Sequence, residues 1–292
     1  MFSIAYRMLG SVTEAEDVVQ EAFLRIHTSA IGGNVVVNPE AFATTITTRL
    51  AIDALRSARA KREQYVGEWL PEPLITSIDE DPARYIEMDE TVSIAFLTLL
   101  ERLTPIERAV FLLREVFGYS FAETAEVVSR SEANCRQLLV RARRRIDEAR
   151  PRFEPSSDRA ATLSWKFFAA IKDGDLDELV QMLADDVVFY GDGGGKAPAL
   201  ATPLRGATAV ARFLIGVGHR GGRFGMQVEL ISANGQPAAR YTAPGGLIIA
   251  VVCLEIVGDR IHAVRNQVNP DKLAHLGPVG DLNALLRSTE EL

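Results

Sequence analysis

Cysteine is almost missing from this sequence. Cys135 and Cys253, two in 292 residues, are too few and too far apart for a disulfide framework or a C-x-x-C metal motif. Histidine is nearly as scarce, and His27, His219, His262 and His275 show no ligand spacing, so neither a metal nor a cofactor is expected. No apolar run is long enough to cross a bilayer, and the N-terminus lacks a signal-peptide pattern. The best candidate, "GGLIIAVVCLEIV", is too short to span, and its β-branched residues suit a buried strand. A basic balance is absent as well: the formal charge is −7, which argues against indiscriminate coating of nucleic acid. These absences leave a soluble, cytoplasmic protein with no membrane partner. Its 47% hydrophobic content over 292 residues can fill the cores of two or three domains.

Against that acidic background, "SEANCRQLLVRARRRI" (131–146) carries five arginines. Ser131 is a suitable N-cap, and Cys135, Leu138, Leu139, Ala142 and Ile146 recur at three- and four-residue steps. Arg136, Arg141, Arg144 and Arg145 fall largely off that stripe, with Asn134 and Gln137 near the first turn. An isolated basic helix is as often a solvated face as a binding one. Here, two capping boxes precede it. Thr104-Pro105-Ile106-Glu107 opens a helix that exits at Gly118, and Ser120-Phe121-Ala122-Glu123 opens a short second one. A short helix, a tight turn and a basic helix make a helix-turn-helix, whose last helix enters the major groove. Arg136 and Arg141 then reach base edges or phosphates.

A second helical unit occupies the first 66 residues. "TEAEDVVQEAFLRIH" places Ala15, Val18, Val19, Ala22, Phe23 and Ile26 on one face and Glu14, Asp17, Gln20, Glu21 and Arg25 on the other. Asn38-Pro39 opens a long helix with Phe42, Ile46, Leu50 and Leu55, together with Asp53, on its packing side. Its end is basic, at Arg56, Arg59, Lys61 and Arg62, which the helix dipole alone would favour. Next to a separate helix-turn-helix, it becomes a second DNA contact.

"SIAYRMLGSVTEAEDVVQEAFLRIH", the helix ending "DALRSARAKRE" and the helix-turn-helix together resemble the two helical domains of bacterial extracytoplasmic-function (ECF) sigma factors. The resemblance implies core RNA polymerase, through its β′ clamp and β subunits, and promoter DNA, at its −10 and −35 elements, as partners. It assigns Asp17, Gln20 and Glu21 to polymerase docking and Arg49, Arg56, Arg59 and Arg62 to the melted −10 element. Asn134, Arg136, Gln137, Val140 and Arg141 match the reader of the −35 duplex, with Arg144 among the neighbouring phosphate contacts. The sequence departs from the family at "MFSIAYR", where the resemblance implies a longer first helix, and at Ser129, where family members often place glycine. Ser129 is expected to adopt a left-handed conformation.

Between the helical units, "YVGEWLPEPLITSIDEDPARY" is stiffened by Pro71, Pro73 and Pro82, and a plain spacer would not need Trp69. From about residue 159 two helices lead into a strand, then a helix and an antiparallel meander, with a hairpin across Gly258-Asp259. That order suggests an α+β cone with an interior pocket. The phrase around "DGDLDELVQMLADDV" resembles the SnoaL-like, nuclear-transport-factor-two-like superfamily. A subgroup of ECF sigma factors carries such a domain with the phrases "WLPEP", "DGGGK" and "NPDK". Here they are Trp69, Leu70, Pro71, Glu72 and Pro73; Asp192, Gly193, Gly194, Gly195 and Lys196; and Asn269, Pro270, Asp271 and Lys272. The resemblance implies a fused regulatory module that contacts the linker. The residues themselves offer Lys196 near Glu72 as one candidate pair, and the glycine-rich "GDGGGK" reads as a turn that includes Asp192.

No catalytic residue is expected. Asn266 follows Arg265 where related hydrolases often place an acid, and an amide cannot exchange protons in that role. "GDGGGK" is no P-loop, because Tyr190 stands where glycine is needed and Ala197 follows Lys196. An unidentified small ligand in the cone is the remaining expected partner. The expected division is 1–66 for the polymerase and −10 domain, 67–83 for the linker and 84–150 for the −35 domain. A second linker follows at 151–158, then the SnoaL-like domain at 159–275 and a tail at 276–292. The rival readings are a ligand-responsive helix-turn-helix repressor and a SnoaL-like enzyme with a DNA-binding appendage. The acidic docking face disfavours the first and the missing acid the second.

Overall fold

The computed structural model describes residues 1–32, 38–62, 64–76, 92–147 and 158–287. The side chain of Arg59, the linker from residue 77 to Pro82 and beyond, the boundary stretch up to residue 157 and the last residues of the tail lie outside the described set. Two compact units emerge: Met1–Gln64 with Ala95–Pro151, and Tyr65–Ile94 with Arg152–Leu292. The described residues of the linker, up to Thr76, therefore cluster with the C-terminal unit.

The described elements of the first unit are helices: α1 (Phe2–Leu9), α2 (Val12–Ile31), α3 (Pro39–Arg62), α4 (Ile94–Leu100, whose first residue falls in the second unit), α5 (Pro105–Phe111), α6 (Phe121–Val128) and α7 (Glu132–Asp147). Local chemistry sets their ends. Gly10, at φ 66°, closes α1, and Ser11 accepts the Glu14 N–H at 3.1 Å to open α2. Asn38 does the same for α3 through the Ala41 N–H, at 3.0 Å. α5 runs into a π-helical turn, Leu112–Val116, and Gly118 at φ 71° ends it.

Two packing faces differ from the sequence expectation. On α2 only the narrow stripe Val12, Ala15, Val18 and Ala22 is buried, and Phe23 is 58% exposed. Phe23 lies one residue, about 100°, round the helix from Ala22, outside that narrow stripe. On α3 the buried face is Thr44, Thr47, Thr48, Ala51, Ile52 and Leu55, whereas Phe42, Ile46 and Leu50 are half-buried. Small side chains let α1, α2 and α5 approach α3 closely, so the crowded face is not the one with the largest residues.

The second unit is built on a seven-stranded mixed sheet. Its strands are β1 (Ile75–Thr76), β2 (Leu183–Asp192), β3 (Leu204–Arg205), β4 (Gln227–Ala233), β5 (Gln236–Ala243), β6 (Leu247–Val257) and β7 (Arg260–Gln267), in the order β1-β4-β5-β6-β7-β2-β3. β4 to β7 form the expected meander; β2 departs from it by pairing parallel to β7. Helices α8 (Asp158–Asp173), α9 (Leu176–Met182) and α10 (Ala207–Arg223) belong with one face, where Phe167, Leu179, Val210 and Leu214 join Phe189, Val252, Leu254 and Val264 in one core. A smaller core forms with Val251, Cys253, Ala238 and Ile248 of the sheet, Ile94, and Leu273 of α11 (Pro270–Leu273). The order of helical modules followed by an α+β domain is the one expected.

The tail is not loose where it is described. The Ile248 N–H bonds Pro278 O at 2.8 Å and the Gly280 N–H bonds Ile248 O at 2.9 Å, ahead of α12 (Leu282–Arg287). At the β4–β5 turn, Asn234 and Gly235 have φ 54° and 69°, the conformation a two-residue hairpin needs. Asn234 also ties down the linker. Its Oδ1 accepts the Leu74 N–H at 2.8 Å and its Nδ2 donates to Val92 O at 2.8 Å.

Candidate functional site

The helix-turn-helix of the first unit is assembled by its caps. Thr104 and Glu107 form one capping box and Ser120 and Glu123 another, while Ser129 closes α6 at φ 53°, ψ 53°. Ser131 Oγ accepts the Asn134 N–H at 3.2 Å and starts α7. Cys135, Leu138, Leu139, Ala142 and Ile146 are buried, which turns Asn134, Arg136, Gln137, Val140 and Arg141 outward. Val140 lies among them, 67% exposed.

Glu107 joins the cap of α5 to the basic helix. Its carboxylate accepts the Thr104 N–H at 3.0 Å and receives Arg145 at 2.5 Å and Arg141 at 3.3 Å. Burial opposes its charge, but the Thr104 N–H and hydroxyl, Arg145 and Arg141 outweigh it, so the carboxyl titrates below its ordinary value. A depressed folded pKa gives stability that is present above the unfolded carboxylate range and lost as pH falls through the folded value. Glu107→Gln should therefore flatten that part of the acid limb in pH-dependent melts, and at neutral pH cost about 1–3 kcal/mol. Superimposable acid profiles would refute this.

Several arginines assigned to DNA are engaged inside the first unit. Arg49 caps the C-terminal end of α6: it donates to Val127 O and Glu126 O, each at 2.9 Å, and to Ser129 Oγ at 3.1 Å. Arg62 donates to Glu101 at 2.5 Å and to Leu9 O at 2.6 Å. Arg108, which the sequence reading missed, is fully buried and reaches Met8 O at 2.7 Å and Glu101 at 2.9 Å. These guanidiniums sit on carbonyl ends of helices, where the dipole favours positive charge. Arg56 is exposed and pairs with Asp53 at 2.8 Å. On α2, Asp17, Gln20 and Glu21 face solvent, and Glu21 pairs with Arg25 at 2.7 Å.

In the second unit the linker is held by a buried carboxylate. Asp192 ends β2 with 0% exposure. It accepts Tyr65 O–H at 2.5 Å, Leu70 N–H at 2.8 Å, Lys272 Nζ at 2.6 Å and Gln267 Nε2 at 3.3 Å. Lys272 also donates to Leu70 O at 2.6 Å and lies over the rings of Trp69, at 4.1 Å, and Tyr65, at 4.8 Å. Asn269 Nδ2 donates to Tyr65 Oη at 2.8 Å, and the His275 ring meets Pro73 O at 2.9 Å. Burial, then the hydrogen bond and charge of Asp192, push the Tyr65 phenol well above its ordinary pKa.

The structure thus brings the WLPEP, DGGGK and NPDK segments together, with two corrections. Lys196 pairs with Asp271, and Glu72 instead lies 3.9 Å from His275 Nδ1. Asp192 is the buried acceptor at the centre and no turn residue. The sequence reading missed Tyr65, Gln267 and His275. Gln267 was within reach, since two residues before Asn269 a strand side chain returns to the same face.

The glycines permit close approach. Gly194 has φ 56°, and a Cβ there would lie 2.2 Å from Asn269 Nδ2 and 2.8 Å from Tyr65 Oη. Gly194→Ala should lower the stability of the second unit by about 1–3 kcal/mol. Gly216→Ala, in mid-helix with nothing within 4 Å of the added carbon, should be neutral or mildly stabilising. Equal thermal melts for the two variants would contradict this.

Arg265 and Glu255 form a buried pair at 2.5 Å, so the strand does have a carboxylate neighbour, but one bound to a guanidinium. Among the described residues, no cluster of His, Cys, Asp or Glu fits a metal ion, and no helix is long and apolar enough to cross a membrane.

Comparison with known proteins places these features. Family models described as Sigma-70 region 2, Sigma-70, region 4 and SnoaL-like domain match residues 1–61, 93–146 and 166–250. The chain is 38% identical over 283 residues to the ECF RNA polymerase sigma factor SigJ of Mycobacterium tuberculosis (strain ATCC 25618 / H37Rv), covering 93% of this chain and 89% of that protein. It is 28% identical over 285 residues to the ECF RNA polymerase sigma factor SigG of M. tuberculosis (strain CDC 1551 / Oshkosh), covering 89% and 75%. The crystal structure of M. tuberculosis SigJ superposes with a TM-score of 0.76 at 35% identity, over 94% of each chain.

Proposed function

The chain belongs to the ECF RNA polymerase sigma factors, and from that premise we propose how its own residues divide the work. Asp17, Gln20 and Glu21 on α2 dock on core polymerase. α3, through Arg49, Arg56, Arg59 and Arg62, takes the melted strand, for which a basic groove is required. α7 reads the duplex with Asn134, Arg136, Gln137, Val140 and Arg141, while Arg144 binds phosphate. Each bidentate base contact discriminates by about 1–3 kcal/mol, and each phosphate contact steepens the salt dependence.

The observation that carries this reading is the outward face of α7, polar and basic around an exposed Val140 on a helix whose opposite face is packed. A pull-down with core RNA polymerase followed by run-off transcription tests it. Retention on polymerase and a defined transcript are expected; neither on any template would end the proposal.

The SnoaL-like domain acts in this reading as a regulator and not a catalyst. It fixes the linker through Asp192 and Lys272, and the linker limits how far the two DNA-contacting helical modules separate. A small ligand that donates a hydrogen bond belongs to the same proposal. Asn266, beside Val252 on the helix-covered face, has a buried Oδ1 to which no partner is hydrogen-bonded. Native mass spectrometry of protein purified without denaturation should show a bound mass that Asn266→Leu loses. An identical spectrum for the variant would remove the ligand from the scheme.

A further inference from the structure

Phe121 is the first residue of α6, half-buried at the start of the helix-turn-helix. Two guanidinium groups lie over its ring. Arg114, from the π-helical turn, has its Cζ 4.2 Å from the centroid, and Arg136, from α7, has its Cζ at 4.8 Å. Arg114 is fixed separately by a hydrogen bond to Tyr119 O. Arg136 also pairs with Glu132 at 2.7 Å, one turn earlier on its own helix.

This arrangement has a directional consequence. A guanidinium lying on a ring face keeps its N–H edge free for bidentate bonding, which a guanidinium buried edge-on does not. The bond to Glu132 has the opposite character: it occupies that edge, and a carboxylate beside a phosphate backbone is repelled. On DNA, Arg136 must therefore exchange Glu132 for the nucleic acid. The ring is the partner it can keep through the exchange.

We propose that Phe121 is a positioning residue for promoter reading: its ring face, set in place by Arg114, aims Arg136 at one base pair of the upstream element. The inference rests on α7 being the duplex-reading helix, and it adds a residue that touches no DNA. The effect is electrostatic as well as steric, because leucine would fill similar space without attracting a cation.

The test uses the full chain assembled with core RNA polymerase and a promoter-length duplex library with randomised sequence, enriched by binding and sequenced. Arg136→Ala first identifies the base-pair position whose preference depends on that arginine. At that position Phe121→Leu should reduce discrimination about three- to tenfold, as loss of a cation–π contact predicts. Preferences at other positions should hold, and Phe121→Tyr should restore the wild-type profile. Since Phe121→Leu could disturb folding, mono-, di- and trifluorophenylalanine at position 121 provide a second series. These keep the shape and drain the ring face, and discrimination should fall stepwise along them. An unchanged preference across the fluorinated series, with wild type enriching a clear sequence, overturns the role of Phe121. A wild-type chain that enriches no sequence overturns instead the reading of α7 on which it stands.

Discussion

Lys272→Met should release the linker from the SnoaL-like domain at a cost of about 3–5 kcal/mol, because it strands a buried carboxylate without its cation. Asp192 is inaccessible to solvent, and after the substitution it keeps the neutral donors of Tyr65, Leu70 and Gln267 but loses the ammonium 2.6 Å away. The same change removes the cation from the faces of Trp69 and Tyr65 and a donor from Leu70 O. Trp69 itself reports the event in a Trp165→Phe background, since the chain has two tryptophans. Its emission should shift on release, ahead of or together with the urea transition. Adding Asp192→Asn should recover part of the loss, because it discharges the stranded group, so the double variant should be less destabilised than the sum of the singles. A Lys272→Met protein that melts with the wild type and leaves Trp69 emission unchanged would show that the buried pair holds nothing.

How much of this could be read in the residues depends on the range of the interaction. Caps and turns are local: Thr104 and Glu107, Ser120 and Glu123, Asn38 and Ser131 all act across three residues, and the structure has each of them. The left-handed Ser129 was legible only through the family resemblance, which often has glycine at that position. Periodicity served well on α7, where the stripe is wide, and only in part on α2 and α3, where small residues set the contact and large ones stay at its margin. Asn234-Gly235 carries an ordinary hairpin signal, but its hold on Leu74 and Val92 spans more than 140 residues and has no sequence trace. The pairing of WLPEP with DGGGK came from family resemblance, not from the residues themselves. Without the fold, nothing ranks Lys272 above Lys196 as the partner of a buried acid. The parallel pairing of β2 with β7 was hidden in the same way, since sequence order alone favours a meander.

Arg49→Ala should open the first unit of the free protein. In the closed arrangement this one side chain makes three bonds to the last turn of α6, so the long helix assigned to the −10 element is fastened to the helix-turn-helix. Hydrogen bonds from a charged donor contribute about 1.5–3 kcal/mol, enough to change a closed-to-open ratio by about ten- to a hundredfold. A guanidinium satisfied by carbonyls of α6 cannot at the same time serve a DNA strand. In the reading proposed above, promoter binding and closure compete for Arg49, and polymerase would shift the balance if it separates the modules. Dyes on Glu16→Cys and Arg143→Cys would report the distance between α2 and α7 in single molecules, Cys135 and Cys253 being buried. The variant should populate a longer distance than the parent before polymerase is added and the same distance after. Its open-complex yield should nevertheless drop, because the residue that held the closed form is also the one assigned to the melted strand. Arg49→Lys separates the two effects: it keeps a charge for phosphate but not the fork that spans two carbonyls and a hydroxyl. It should open like alanine and retain more of the open complex. If distance distributions are the same for parent, alanine and lysine, Arg49 does not fasten the unit, and closure must rest on Arg62, Arg108 and Glu101 instead.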